Sequence, residues 1–131
     1  RLNNIYNQLL EVKSQFGNIN DVVNLPNGKN IEVVSSCEDT SNNTIRLNID
    51  DITLPLYVRT RRNGDKMMVK GMNGHKKVND IFIDSKISTK DRHVWPVVSD
   101  AENNIIWIPG LKKSKFDVEK GKKCDIILKY Y

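Results

Sequence analysis

The chain is short of the groups that most often announce an enzyme. It has two cysteines, Cys37 and Cys124, far apart and in no C-x-x-C pair. That spacing argues for two free thiols in a cytosolic protein rather than a disulfide framework. The two histidines, His75 and His93, stand alone, so the clustered Cys and His ligands of a zinc site are missing. No run of about 18 apolar residues occurs, which excludes a membrane-spanning helix. The opening "RLNNIYNQLL" has no apolar core or cleavage site of a signal peptide. It starts with Arg, so a piece of a longer chain is expected. Neither G-x-x-x-x-G-K-[ST], nor a Gly-rich dinucleotide loop, nor G-x-S-x-G is found. Nothing assembles a nucleophile with its base, and Asp80, Asp84 and Asp91 read as caps and salt-bridge partners.

What is present is enough apolar material for one core, 38% of 131 residues, and an uneven charge. The net charge is +5. Residues 1–58 carry Arg1, Lys13, Lys29 and Arg46 against seven acids, so the positive excess lies entirely in the remainder. Such asymmetry suits a basic surface for a polyanion, nucleic acid first, or else a solvated lysine-rich face.

Residues 2–16 repeat apolar side chains near the helical period, and Gly17 follows as a stop. Residues 1–17 therefore read as a helix, 18–28 ("NINDVVNLPNG") as a connector, and 29–131 as the principal domain. "IEVVSS" and "TIRLNI" read as strands of a hairpin joined by "CEDTSNN". "LPLYVRT" and the short "KMMVKGM" are further strands. Val78, Ile81 and Phe82 share a helical face. "VWPVVSD" and "NIIWIPG" form a second hairpin, and "DIILKYY" is a last strand. The expected class is α+β, mainly β: a β-sandwich-like domain with short helices behind an N-terminal helix. Trp95 and Trp107 read as core residues, and Pro96 and Pro109 as strand ends. Asp91 and Arg92 read as a turn-forming pair that braces the fold.

The segment "RTRRNGDKMMVKGMNGHKKVNDIF", residues 59–82, is the candidate site. Arg59, Arg61 and Arg62 offer planar forks that match phosphate oxygens, and Lys70, Lys76 and Lys77 add point charges. Lys76 and Lys77 fall where a helix begins, and Gly71 and Gly74 let the backbone turn tightly. The competing reading is internal pairing of Arg59 and Arg61 with Asp65, Asp84 or Asp91, and of Lys76 and Lys77 with Asp80 or Asp84.

The pieces "RTRRNGD", "GMNGHKKVNDIFID", "DRHVWPVV" and "IIWIPG", in this order and close spacing, resemble the C-terminal domain of bacterial tRNA(Ile)-lysidine synthetase. The preceding "LPNG" fits the same family. This chain departs from the family pattern at Met67, Val69 and Ser88. The resemblance implies a sandwich of unusual topology, related to a domain of the phenylalanyl-tRNA synthetase β chain. The opening helix would end a preceding helical domain. The family's enzyme is a cytoplasmic ATP-dependent ligase. It converts the wobble cytidine of a CAU anticodon to lysidine, with ATP and lysine bound in an N-terminal domain marked by S-G-G-x-D-S. That loop is absent here, so the chain is expected to be non-catalytic, without catalytic residues, cofactor or metal. Its implied role is to bind the acceptor stem of tRNA(Ile), in partnership with its own N-terminal ATP domain. Arg59, Arg61, Arg62, Lys70, Lys76 and Lys77 would be the tRNA-binding residues. A non-catalytic structural or dimerisation module and a general nucleic-acid-binding β domain remain the alternatives. The oligomeric state, homodimer included, stays open.

Overall fold

The computed structural model describes residues 22–131, together with the backbone of Leu9 and Leu10. Eleven strands are assigned: β1 Leu9–Leu10, β2 Val22–Asn24, β3 Asn30–Val34, β4 Thr44–Leu47, β5 Leu56–Arg59, β6 Lys66–Met67, β7 Lys76–Lys77, β8 Val97–Ser99, β9 Ile105–Ile108, β10 Lys112–Lys113 and β11 Ile126–Tyr130. Two short helices, α1 Val78–Asp84 and α2 Thr89–Arg92, and a 3-10 turn at Ile49–Asp51 complete the set. The mainly β class read from the sequence holds.

The strands form an antiparallel five-stranded sheet, β1-β5-β8-β9-β10, and an antiparallel four-stranded sheet, β2-β3-β11-β4. The two share one core. Ile31, Ile45, Leu47 and Leu128 from the smaller sheet pack with Leu56, Val58, Ile106 and Trp107 from the larger. A second core lies on the larger sheet's other side. There Val97, Ile105 and Ile108 meet Met67, Val78, Ile81 and Phe82. Burial on both faces explains why "PVVS" and "IIWI" carry unbroken apolar runs instead of alternating ones. Between these strands Asp100 closes the turn. Its carboxylate accepts the backbone N–H groups of Glu102, Asn104 and Thr53 at 2.9–3.2 Å.

Trp107 is fully buried, and its indole N–H donates to the Asn42 carbonyl at 2.9 Å. Trp95 is half-buried, meets Phe82 edge-on and donates to the Pro109 carbonyl at 2.9 Å. Both tryptophans serve packing, as their apolar settings suggest. Arg92 Nε donates to the Ile87 carbonyl at 2.7 Å, tying α2 to the segment before it.

Three expectations need correction. The strands "IEVVSS" and "TIRLNI" do not pair with each other. β11 lies between them, matching Leu128 to Val33 on one side and to Ile45 on the other. The loop from Ser35 to Asn43 is instead held by its own polar groups. Asp39 accepts from the Ser41 N–H and hydroxyl and from the Thr44 hydroxyl, and the Ser41 bonds above all hold its carboxyl below the usual carboxylate range. The second correction is local. Leu9 and Leu10, expected within a helix over 2–16, form a two-residue strand on the β5 edge, opposite Tyr57 and Leu56. That edge offers backbone partners that a helix leaves unused. The third lies in the expected connector, where Val22–Asn24 form β2 against β3 because Val23 and Leu25 bury their side chains in the core. The rest of the expected helix, and residues 18–21 of the connector, lie outside the described residues.

Candidate functional site

Between β5 and β6 the chain makes a tight loop, residues 60–65, that depends on Gly64 at a φ of 84°. The loop is fastened from below. Arg59, on a strand of the larger sheet and 2% exposed, donates two parallel bonds to Asp65, at 2.8 and 3.0 Å. It donates further to the Thr60 carbonyl and to Asn103 Oδ1. Asp65 in turn accepts the Arg62 backbone N–H at 2.7 Å, and its carbonyl accepts the Val78 N–H that opens α1. One buried ion pair therefore sets the loop and the helix start together.

The same fastening sorts the six cations singled out in the sequence. Arg59 is enclosed and ion-paired to Asp65, the first of the internal partners considered for it; neither Asp84 nor Asp91 takes that part. Both of its terminal nitrogens are bonded, and Nε is left without a partner among the described residues. Lys70 donates to the buried Asp117 at 2.6 Å, beside Lys113 at 3.5 Å. Lys76 is ion-paired to Asp84. Asp84 is among the internal partners that the sequence offers for Lys76, whereas Asp117 reaches Lys70 only through tertiary folding, which residue spacing alone does not reveal. Arg61 donates to Asn79 Oδ1 at 2.6 Å and lies over the Phe82 ring at 5.7 Å. Arg62 and Lys77 are exposed, and neither side chain has a hydrogen-bond or ion-pair partner among the described residues.

Arg61, Arg62 and Lys77 come together around a groove of about 500 Å³, with Asn79 and His93 on its walls. His93 stands isolated in the sequence, because it enters the groove from beyond α2. Lys66 is a further cation of the same basic segment. It sits directly opposite Lys77 in the small β6–β7 ribbon. Like charges at that position destabilise a ribbon, so the pair concentrates positive charge at a local cost. The same loop borders a second groove of about 410 Å³, lined by Lys66, Met68, His75, Asn103, Asn104 and Phe116.

The site's chemistry is that of anion binding. Guanidinium and ammonium groups converge without a nucleophile–base pair. Among the described residues no three His, Cys, Asp or Glu side chains gather as a metal site, and no helix is long and apolar enough to cross a membrane. Cys37 and Cys124 are free thiols, and burial pushes the Cys124 thiol up.

The departures at Met67, Val69 and Ser88 fit locally. Met67 is buried, Val69 bridges to Ser114, and Ser88 caps α2 by accepting the Asp91 N–H at 3.2 Å.

Residues 56–128 match the family model described as the TilS substrate C-terminal domain. The tRNA(Ile)-lysidine synthase of Bacillus licheniformis is 46% identical over 110 residues, 81% of this chain and 23% of that protein. Its Bacillus subtilis counterpart is 49% identical over 96 residues, 71% of this chain and 20% of that protein. The chain thus spans less than a quarter of either relative. A crystal structure of a TILS C-terminal domain superposes with a TM-score of 0.76 at 39% identity, covering 86% of this chain and 91% of that one. An N-terminal fragment of the phenylalanyl-tRNA synthetase β-subunit from Pyrococcus horikoshii shares the fold alone. Its TM-score is 0.51 at 17% identity, over 66% of this chain and 27% of the fragment. The matched span contains "RTRRNGD", "GMNGHKKVNDIFID", "DRHVWPVV" and "IIWIPG", the pieces that build the loop, the groove and the double-faced strands. By sequence and fold together, the chain belongs to the TilS substrate C-terminal domain family.

Proposed function

We propose that this chain is the substrate-recognition domain of a cytoplasmic tRNA(Ile)-lysidine synthase, holding the acceptor stem of tRNA(Ile). An N-terminal ATP domain of the same protein would carry out the conversion of the wobble cytidine with ATP and lysine. The observation that carries this reading is the pair of exposed, unpartnered cations, Arg62 and Lys77, converging on one groove beside Arg61. The family relation supports the tRNA as the polyanion, because the relatives' names specify tRNA(Ile). An A-form stem hides its major groove and shows backbone and shallow minor groove, so shape and phosphate recognition suit this surface. Arg59, Lys70 and Lys76 are left out of the tRNA-binding set because carboxylates already hold them. Arg59 serves as a positioning residue.

The test is the salt dependence of tRNA binding. Removing one cation that neutralises a phosphate lowers the log–log slope by about one unit or less. Changing Arg62 and Lys77 together to Ala should weaken binding and flatten the slope by up to about two units. The melting temperature should hardly change, since neither side chain packs or pairs. The double change of Lys70 and Lys76 to Ala should move the slope much less. An unaltered slope in the Arg62/Lys77 variant would remove the groove from tRNA recognition.

The chain alone should also form no lysidine. With ATP, lysine and substrate tRNA, AMP release should stay at the level of the blank. Steady AMP production from pure chain would overturn that assignment.

A further inference from the structure

We propose that the second groove, beside Lys66 and His75, is a pocket for the base of a single unpaired nucleotide of the bound RNA. This deepens the reading of the neighbouring groove as an RNA surface and rests on it.

The pocket has three parts. Its floor is apolar, from Met68, Ile105 and the half-buried Phe116. Its outer wall is cationic, with Lys66 and the exposed His75. Its inner wall is the turn at Asn103 and Asn104. At about 410 Å³ it falls in the range of sites for small organic molecules. A planar base over an apolar floor, with a phosphate at the cationic wall, matches that division.

The two asparagines give the pocket a fixed hydrogen-bond pattern. Asn103 bonds the Arg59 guanidinium, which has only donors, so the atom facing Arg59 must be the amide oxygen. Its NH₂ group is left without a partner among the described residues. Asn104 bonds the Asp100 carboxylate, which only accepts, so the atom facing Asp100 must be the amide nitrogen. Its oxygen is left without a partner among the described residues. Partner chemistry thus settles both amide orientations, which geometry alone would leave open. Adjacent residues of the turn carry one spare donor and one spare acceptor, held by a buried arginine and a carboxylate with four hydrogen bonds. Asn103 sits at a φ of 65°, a conformation asparagine tolerates better than most residues. Every nucleobase has an acceptor next to a donor on at least one edge, and unpaired bases are read on those edges. The pocket therefore accepts a base without demanding one. Gly64 and Asp65 line this pocket and the Arg62 groove alike, so one strand can cross from one to the other.

The test uses the 131-residue chain, with amide shifts followed by NMR. AMP, CMP, UMP and GMP should each perturb His75, Asn103 and Asn104, with affinities within about threefold of one another. Asn103→Asp keeps the acceptor toward Arg59 and turns the spare donor into a second acceptor. Guanine alone offers two adjacent donors, N1–H and N2–H₂. The variant should therefore prefer GMP over AMP by at least about fivefold. Wild-type titrations that leave all three amides unmoved overturn the proposal, whether or not the variant folds. So does an unchanged ranking in a folded variant. Tetra-adenylate separates an RNA strand from a free nucleotide. It should bind at least about tenfold more tightly than AMP and lose that gain in Arg62→Ala. Equal affinity for the two would assign the pocket to free nucleotides and overturn the RNA assignment. An unaltered salt slope in the Arg62/Lys77 variant with a working GMP switch would remove the stem reading alone, while a flattened slope with no GMP switch would remove only the base pocket.

Discussion

Asp65→Ala should lower the stability of the chain by about 3–5 kcal/mol, the usual cost of leaving one member of a buried ion pair without its partner. Arg59 and Asp65 side chains are 3% and 6% exposed, so solvent cannot take over the stranded charge. Arg59 Nε already lacks a partner, and removing Asp65 would strip two more of the guanidinium's bonds. For a chain of this size the loss corresponds to a fall in melting temperature of roughly 10–20 °C. The change should also damage RNA binding below the melting transition, because Asp65 holds the Arg62 backbone N–H. Asp65→Asn retains the shape and one acceptor oxygen and should lie between the two. Thermal melts by circular dichroism give the first effect, and tRNA binding well below the transition gives the second. A melting temperature within about 2 °C of the parent would show that Arg59 finds other partners and that the pair does not fasten the loop.

Trp107→Ala should cost a similar amount, about 3–5 kcal/mol, by a different mechanism. The ring is fully enclosed between the two sheets, so truncation leaves a cavity and removes one of two hydrogen bonds to the Asn42 carbonyl, which keeps the Gly110 N–H at 2.8 Å. Trp107→Phe fills most of the space and loses mainly the hydrogen bond, so its cost should be smaller. Unlike Asp65→Ala, the variant should keep the salt slope of RNA binding wherever it is still folded. Denaturant unfolding measures the stability, and binding at several salt concentrations measures the slope. An unchanged midpoint together with abolished binding would make Trp107 a platform for RNA bases.

The sequence exposes those parts of the molecule that depend on neighbours in the chain. The helix face of Val78, Ile81 and Phe82 and the hairpin of β8 and β9 follow from local period and turn chemistry. The insertion of β11 between β3 and β4 cannot be read locally, because nothing in "IEVVSS" or "TIRLNI" names a partner far along the chain. The candidate site divides in the same way. Arg61, Arg62 and Lys77 are recognisable as cations near a turn. That Lys70 belongs to Asp117 depends on folding together segments 47 residues apart. His93 joins the groove through comparable tertiary geometry, while Lys66 joins through the local β6–β7 pairing. The charge asymmetry points to the segment, while burial and ion pairing decide which of its charges remain available.

The position of β11 also has a consequence for synthesis. Strand β4 must wait for Ile126, about 80 residues after Leu47, before its main ladder can form. At translation rates of about 5–20 residues per second, that delay is roughly 4–16 seconds. During it, β3 and β4 are separate, apolar and lack the strand that joins them. A nascent chain in that interval carries open strand edges that invite pairing with other chains. Arrest of synthesis anywhere between β4 and β11 would therefore yield a species more prone to association than the finished domain. The vulnerable window is set by strand order and would persist however stable the completed sandwich became.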